Sequence, residues 1–136
     1  MAPNDRYFID TSAGYALMDR SDRFHKAAAE AWQTFLMSDV QMFTSNYIVL
    51  ETLALLQHRL GFEAADLWYR DILGVVDVIW VEQKIHDLAY ELWLSLGRRR
   101  LSFVDCVSFV VMRQNGLEAV FGFDVHFAEQ GFTIRP

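Results

Sequence analysis

Apolar positions along the chain alternate between short continuous runs and helical spacing. Residues 7 to 9, Tyr-Phe-Ile, form an apolar, β-prone run, and Asp10-Thr11-Ser12 directly behind it opens a first helix. From 22 to 37, Phe24, Ala28, Ala31 and Phe35 recur at helical spacing behind Ser21 or Asp22 as a cap. Gln41-Met42-Phe43-Thr44 reads as a second strand, after which Ser45 or Asn46 caps a helix that runs to Leu60 and stops at Gly61. Residues 62 to 73 read as another helix, ended by Gly74, and Val75 to Val81 as a strongly β-branched strand. Ile85, Leu88, Ala89, Leu92 and Leu96 line one face of the next helix, which Gly97 ends. Ser102 caps a helix over 103 to 115 with Gly116 as its stop, and two short strands close the chain, Ala119 to Phe123 and Phe132 to Ile134.

Strands alternate with helices, and the strands are apolar throughout rather than at every second residue. That pattern predicts an α/β fold, a three-layer α/β/α sandwich whose central sheet is mostly parallel and covered on both faces. No repeat, low-complexity segment or long linker divides the chain, so residues 1 to 136 are expected to form a single domain.

Composition narrows the function classes. A content of 53% hydrophobic and 22% charged residues excludes a disordered or collagen-like chain. No run approaches the roughly 20 apolar residues of a membrane span. Met1-Ala2-Pro3-Asn4-Asp5-Arg6 lacks a signal-peptide pattern, so a cytoplasmic location is expected. The single cysteine, Cys106, reads as core and rules out an internal disulfide, while four scattered histidines give no zinc-ligand spacing. A net charge of −6 argues against a broad basic surface for nucleic acid. Ten of the twelve basic residues are arginines and Arg98, Arg99 and Arg100 are consecutive, so basic charge is local.

The candidate chemistry lies in four acids. Ligands of open parallel sheets bind outside the carboxyl ends of the strands, where strand order reverses. Asp10 and Asp124 each follow a strand, and Asp105 lies in the first turn of a helix, which places all three on that edge. Glu51 has Tyr47, Ile48, Ala54 and Leu55 at three and four positions along its helix, and no Lys or Arg at that spacing. Each acid also has an ordinary use. Asp10 can cap the first helix, Asp105 can complete a capping box with Ser102, Glu51 can turn to solvent, and Asp124 can begin a turn before His126. Four such accidents on one edge are harder to accept than one site. Two like charges about 5 Å apart repel by roughly 3 kcal/mol at an effective dielectric near 20, so four ionised carboxylates together strain a domain of ordinary stability. The site must therefore take up cations or hold protons. An all-oxygen ligand set favours Mg²⁺ or Mn²⁺, which bind substrate phosphates and support hydrolysis of a phosphodiester.

Phe8-Ile9-Asp10-Thr11-Ser12, Thr44-Ser45-Asn46-Tyr47 leading to Glu51, Ser102-Phe103-Val104-Asp105, and Phe123-Asp124-Val125-His126-Phe127 together resemble the PIN-domain family and, within it, the VapC-type toxin ribonucleases. The resemblance covers nearly the whole chain. It implies a sheet of about five parallel strands and a Mg²⁺- or Mn²⁺-dependent endoribonuclease with Asp10, Glu51, Asp105 and Asp124 as its acidic residues. It also implies Ser12 as a polar helper near the metal, a homodimer, and an antitoxin partner. Arg98 to Arg100 then either guide RNA to the site or form a solvated loop. His126 reads as packing or bonding locally, and Trp32, Trp68, Trp80 and Trp93 as core or dimer contacts. Two other classes carry weight. A catalytically silent PIN-like scaffold is opposed by the intact four-acid set. An aspartate-based phosphotransfer or receiver-type domain shares the fold, but the haloacid dehalogenase-like pattern needs a second aspartate where Ser12 stands. A P-loop protein is disfavoured because no glycine-rich phosphate loop follows a strand.

Overall fold

The apolar run after the N-terminus becomes the middle of the sheet. In the computed structural model, which describes residues 5–136, strand β1 spans Arg6–Ile9. Met1 to Asn4, part of the run read above for a signal pattern, lie outside the described residues. Strand β2 is Gln41–Ser45, β3 Asp77–Ile79, β4 Ala119–Phe121 and β5 Thr133–Arg135. They form a five-stranded sheet in the order β3-β2-β1-β4-β5, with each pairing parallel. The chain builds outward from β1 in one direction and then returns to its other side, so strand order reverses between β1 and β4. Their register sets Ile9 beside Phe121.

Helices cover both faces: α1 (Thr11–Met18), α2 (His25–Met37), α3 (Asn46–Leu60), α4 (Phe62–Leu67), α5 (Gln83–Leu96), α6 (Phe103–Gln114) and the short α7 (His126–Glu129). Successive strand side chains point to opposite faces. Phe8 and Val120 accordingly pack with Val107, Phe109 and Val111 of α6, while Ile9 and Phe121 pack with Ala13, Ala28 and Trp32 of α1 and α2. A third cluster, with Tyr15, Leu56 and Trp68, holds α4 against α1 and α3. Among the described residues, no helix is long and apolar enough to cross a membrane.

The local signals at 45, 61, 97 and 102 act as expected. Ser45 accepts the Ile48 N–H at 3.2 Å, and Gly61 (φ 101°) and Gly97 (φ 55°) terminate α3 and α5 in conformations that suit glycine. Four readings need correction. The helix expected from residue 22 begins at His25, because Asp22 folds into a turn that accepts the Phe24 N–H at 2.9 Å. The helix expected over 62 to 73 leaves α geometry at Trp68, passes through a π-helical turn to Ile72 and a 3₁₀ turn over Leu73–Val75, and is not stopped at Gly74. In an α-helix residues five apart face about 140° away from each other, whereas a wider π turn brings them to one side. Trp68 and Leu73, both buried, thereby reach the same cluster. The strand expected over 75 to 81 pairs only at Asp77–Ile79 on the sheet edge, and Asn46 Oδ1 accepts the Val81 N–H at 2.6 Å, drawing the chain away. Finally, α7 occupies a stretch with no helical period long enough to read, started by the Asp124 carboxylate on the His126 N–H at 2.9 Å.

Candidate functional site

The reversal of strand order leaves a crevice between the carboxyl ends of β1 and β4, and the residues that follow these strands meet there. Asp10 extends the ladder by one bond, its N–H donating to the Phe121 carbonyl at 3.0 Å. It then caps α1: its Oδ2 accepts from the Ser12 N–H at 3.3 Å and from the Ser12 hydroxyl at 2.7 Å. The Ser12 hydroxyl in turn accepts the Phe123 N–H at 3.0 Å, so one side chain ties the start of α1 to the end of β4. Gly122 makes the closeness possible, since a Cβ there would lie 3.1 Å from both Asp10 Cβ and Ser12 Oγ.

Asp10 is 6% exposed, and its pKa is pushed up from 3.8 to about 7. Burial is the largest cause, the Ser12 hydroxyl opposes it, and the charges of Asp105 and Asp124 raise it further. The metal-free site thus holds a proton near neutral pH. Sequence alone assigns that strain to mutual repulsion, while the structure assigns most of it to desolvation.

Asp105 enters from the first turn of α6. It forms a full capping box with Ser102, each accepting the other's N–H at 3.0 Å. Its pKa is also raised, first by burial, with the Asp124 charge adding and the Ser102 N–H opposing. Asp124, partly buried, accepts the His126 N–H through Oδ1 at 2.9 Å. The capping and site readings of Asp10 and Asp105 are therefore not exclusive, because each cap bond uses one oxygen of two.

Glu51 is tied to the site only indirectly. It projects from α3 toward α1 and accepts the Thr11 hydroxyl at 2.6 Å, and this bond meets the cost of a carboxylate on an apolar helix face. Its link to Asp10 runs through Thr11, the next residue in the chain.

One residue was set aside by sequence reasoning. His126 Nδ1 is 2.9 Å from Asp124 Oδ1, at ion-pair distance, yet the nitrogen is buried and has no partner of hydrogen-bonding geometry. Donor atoms of Asp105, Asp124 and His126 lie within 4.8 Å of one another, the one such group among the described residues. Asp10 and Glu51 stand outside that distance. A clustered pair of carboxylates with an unsatisfied imidazole nitrogen fits a divalent cation, and the set is no longer all oxygen. The signal for His126 in the sequence was its place two residues beyond Asp124.

Comparison with known proteins shows the family and the fold. The PIN domain family matches residues 7–132. A "23S rRNA-specific endonuclease VapC20" of Mycobacterium tuberculosis is 35% identical over 133 residues, which cover 95% of this chain and 98% of that protein. The crystal structure of M. tuberculosis VapC20, described as a sarcin-ricin loop cleaving toxin, superimposes with a TM-score of 0.86 at 34% identity, covering 96% of this chain and 99% of that one. FitAcB from Neisseria gonorrhoeae shares the fold, with a TM-score of 0.69 at 12% identity over 96% of each chain.

Proposed function

The chain belongs to the PIN-domain family, and from that membership we propose that it is a divalent-metal-dependent endoribonuclease, the toxin of a toxin–antitoxin pair. The observation that carries the reading is the meeting of Asp10, Asp105, Asp124 and His126 at the reversal of strand order, in a fold shared with an RNA-cutting relative. Asp10, Asp105, Asp124 and Glu51 would hold Mg²⁺ or Mn²⁺, with His126 Nδ1 as a further donor. When bound, such an ion supplies an activated water and neutralises charge on the phosphate.

The chain's own residues set the conditions for that chemistry. Ser12 fixes the Asp10 rotamer through Oδ2, which leaves Oδ1 for the site. Burial raises the Asp10 pKa to about 7, so near neutral pH a cation competes with a proton for its carboxylate. The Ser102 box holds Asp105 on a rigid helix start, and Thr11 fixes the Glu51 carboxylate. The relative named as a 23S rRNA-specific endonuclease makes ribosomal RNA the first substrate to try. An antitoxin protein and a second copy of the chain are the proposed partners.

The experiment is incubation of purified protein with ribosomal RNA in Mn²⁺ or Mg²⁺, with and without EDTA. Discrete cleavage products that disappear on chelation are expected. RNA that is bound but left intact in either metal would favour the silent scaffold.

A further inference from the structure

The crevice opens on one side into a groove that the chemistry described so far does not use. It encloses about 580 Å³ and is lined by Ser12 and Asp124 together with Arg23, Phe24 and Arg59. Both arginines are exposed, and neither has a carboxylate oxygen within 4.0 Å among the described residues, whereas Arg70 pairs with Asp66 and Arg98 with Glu129; the Arg59 charge acts on Asp19 from farther off. In a chain with six more acids than bases, two exposed arginines beside an acidic site are unexpected.

Their setting explains why they stay available. The Arg23 guanidinium lies 4.5 Å from the Phe24 ring centroid, and that of Arg59 lies 5.3 Å from the Tyr15 ring centroid. Stacking of this kind restrains a guanidinium without consuming its N–H donors, and Arg59 spends only part of its fork on the Tyr15 hydroxyl. The neighbouring acids have other hydrogen-bond partners: Asp22 accepts the Phe24 N–H, and Asp19, which also feels the Arg59 charge, accepts the Tyr15 hydroxyl and both donors of Ser21. Phe24 also stacks on Phe123 with centroids 4.4 Å apart, which couples the Arg23 wall to the residue preceding Asp124.

We propose that this groove seats the RNA strand, with Arg23 and Arg59 binding phosphates on either side of the one that is cut; the inference rests on the endoribonuclease reading. The guanidinium fork matches phosphate oxygens, and the two arginines supply the positive charge that the acidic centre lacks for flanking phosphates. They are positioning residues. Their contacts are to the backbone of the strand, so they hold it in register without reading its bases.

The test is fluorescence anisotropy of a labelled single-stranded RNA with the full chain in Ca²⁺, over a series of KCl concentrations, with RNA integrity checked on the same samples. Arg23→Gln and Arg59→Gln are each expected to weaken binding by about three- to tenfold and to lower the slope of log K against log[salt] by about 0.7. Arg70→Gln, at a paired and exposed arginine, serves as the control. Affinity and salt slope in both variants equal to those of the control overturn the proposal. Cleavage by the wild type in Mn²⁺, run in parallel, reports on the endoribonuclease reading alone. A chain that binds RNA through both arginines but never cuts it keeps the groove and loses that reading.

Discussion

Asp10 is the residue whose environment has the clearest measurable consequence. In the unfolded chain it releases its proton near pH 3.8, and in the folded, metal-free protein it keeps the proton to about pH 7. Between those values the folded state binds more protons, so stability falls as pH rises. The contribution is complete below the lower value and lost above the upper one, on the order of 4 kcal/mol in all. The raised pKa of Asp105 acts in the same direction. Metal-free melting curves should therefore drop by several degrees between about pH 5 and about pH 7.5. Asp10→Asn, which mimics the protonated form, should flatten that fall; an equally steep fall in the variant would remove Asp10 as its cause. The positions of Asp10 and Asp124 were legible because each follows a strand, and no distant contact is needed to place it. The partner of Glu51 was not, since Thr11 lies 40 residues earlier in the chain and meets it only through the packing of α1 on α3. His126 was illegible for the same reason: its proximity to Asp105 depends on how α6 and the end of β4 come together.

Among elements, the ends of β1 and β4 do most to make the site. They approach so closely at Gly122 that any side chain would meet Asp10 and Ser12 at 3.1 Å. Gly122→Ala should push Asp10 aside, reducing RNA cleavage by about tenfold or more while costing about 1 to 3 kcal/mol of stability. Melting and initial cleavage rates measured on one preparation check this; unchanged cleavage would show that the crevice has slack. The elements that sequence reveals best are those fixed by their own residues, such as α3 between Ser45 and Gly61 and α6 behind its capping box. Those it misstates depend on distant partners. Val75 to Val81 has strand composition throughout, but one neighbouring strand and the Asn46 side chain decide that three residues pair. The π turn at Trp68 is likewise set by the cluster beneath it rather than by its own residues.

For the whole molecule, the proposed metal and the net acidity are linked. The net charge of −6 includes the carboxylates of the site, which an ion would offset. Millimolar Mn²⁺ should raise the melting temperature at pH 7.5, because a ligand held at a hundred times its Kd adds about 2.7 kcal/mol to the folded state. EDTA should reverse the gain. The order of the strands, visible in outline from the alternation of elements, is what brings Asp10, Asp105 and Asp124, spread along the chain, within reach of one another's charge. The most direct measurement is the RNA cleavage rate of Asp124→Asn relative to wild type in saturating Mn²⁺. Asn keeps the oxygen that receives the His126 N–H, so the start of α7 survives while the charge is lost. A fall of about a hundredfold or more, roughly 3 kcal/mol of transition-state stabilisation, is predicted. Cleavage within about threefold of wild type, under 1 kcal/mol, would contradict a metal site built on these carboxylates.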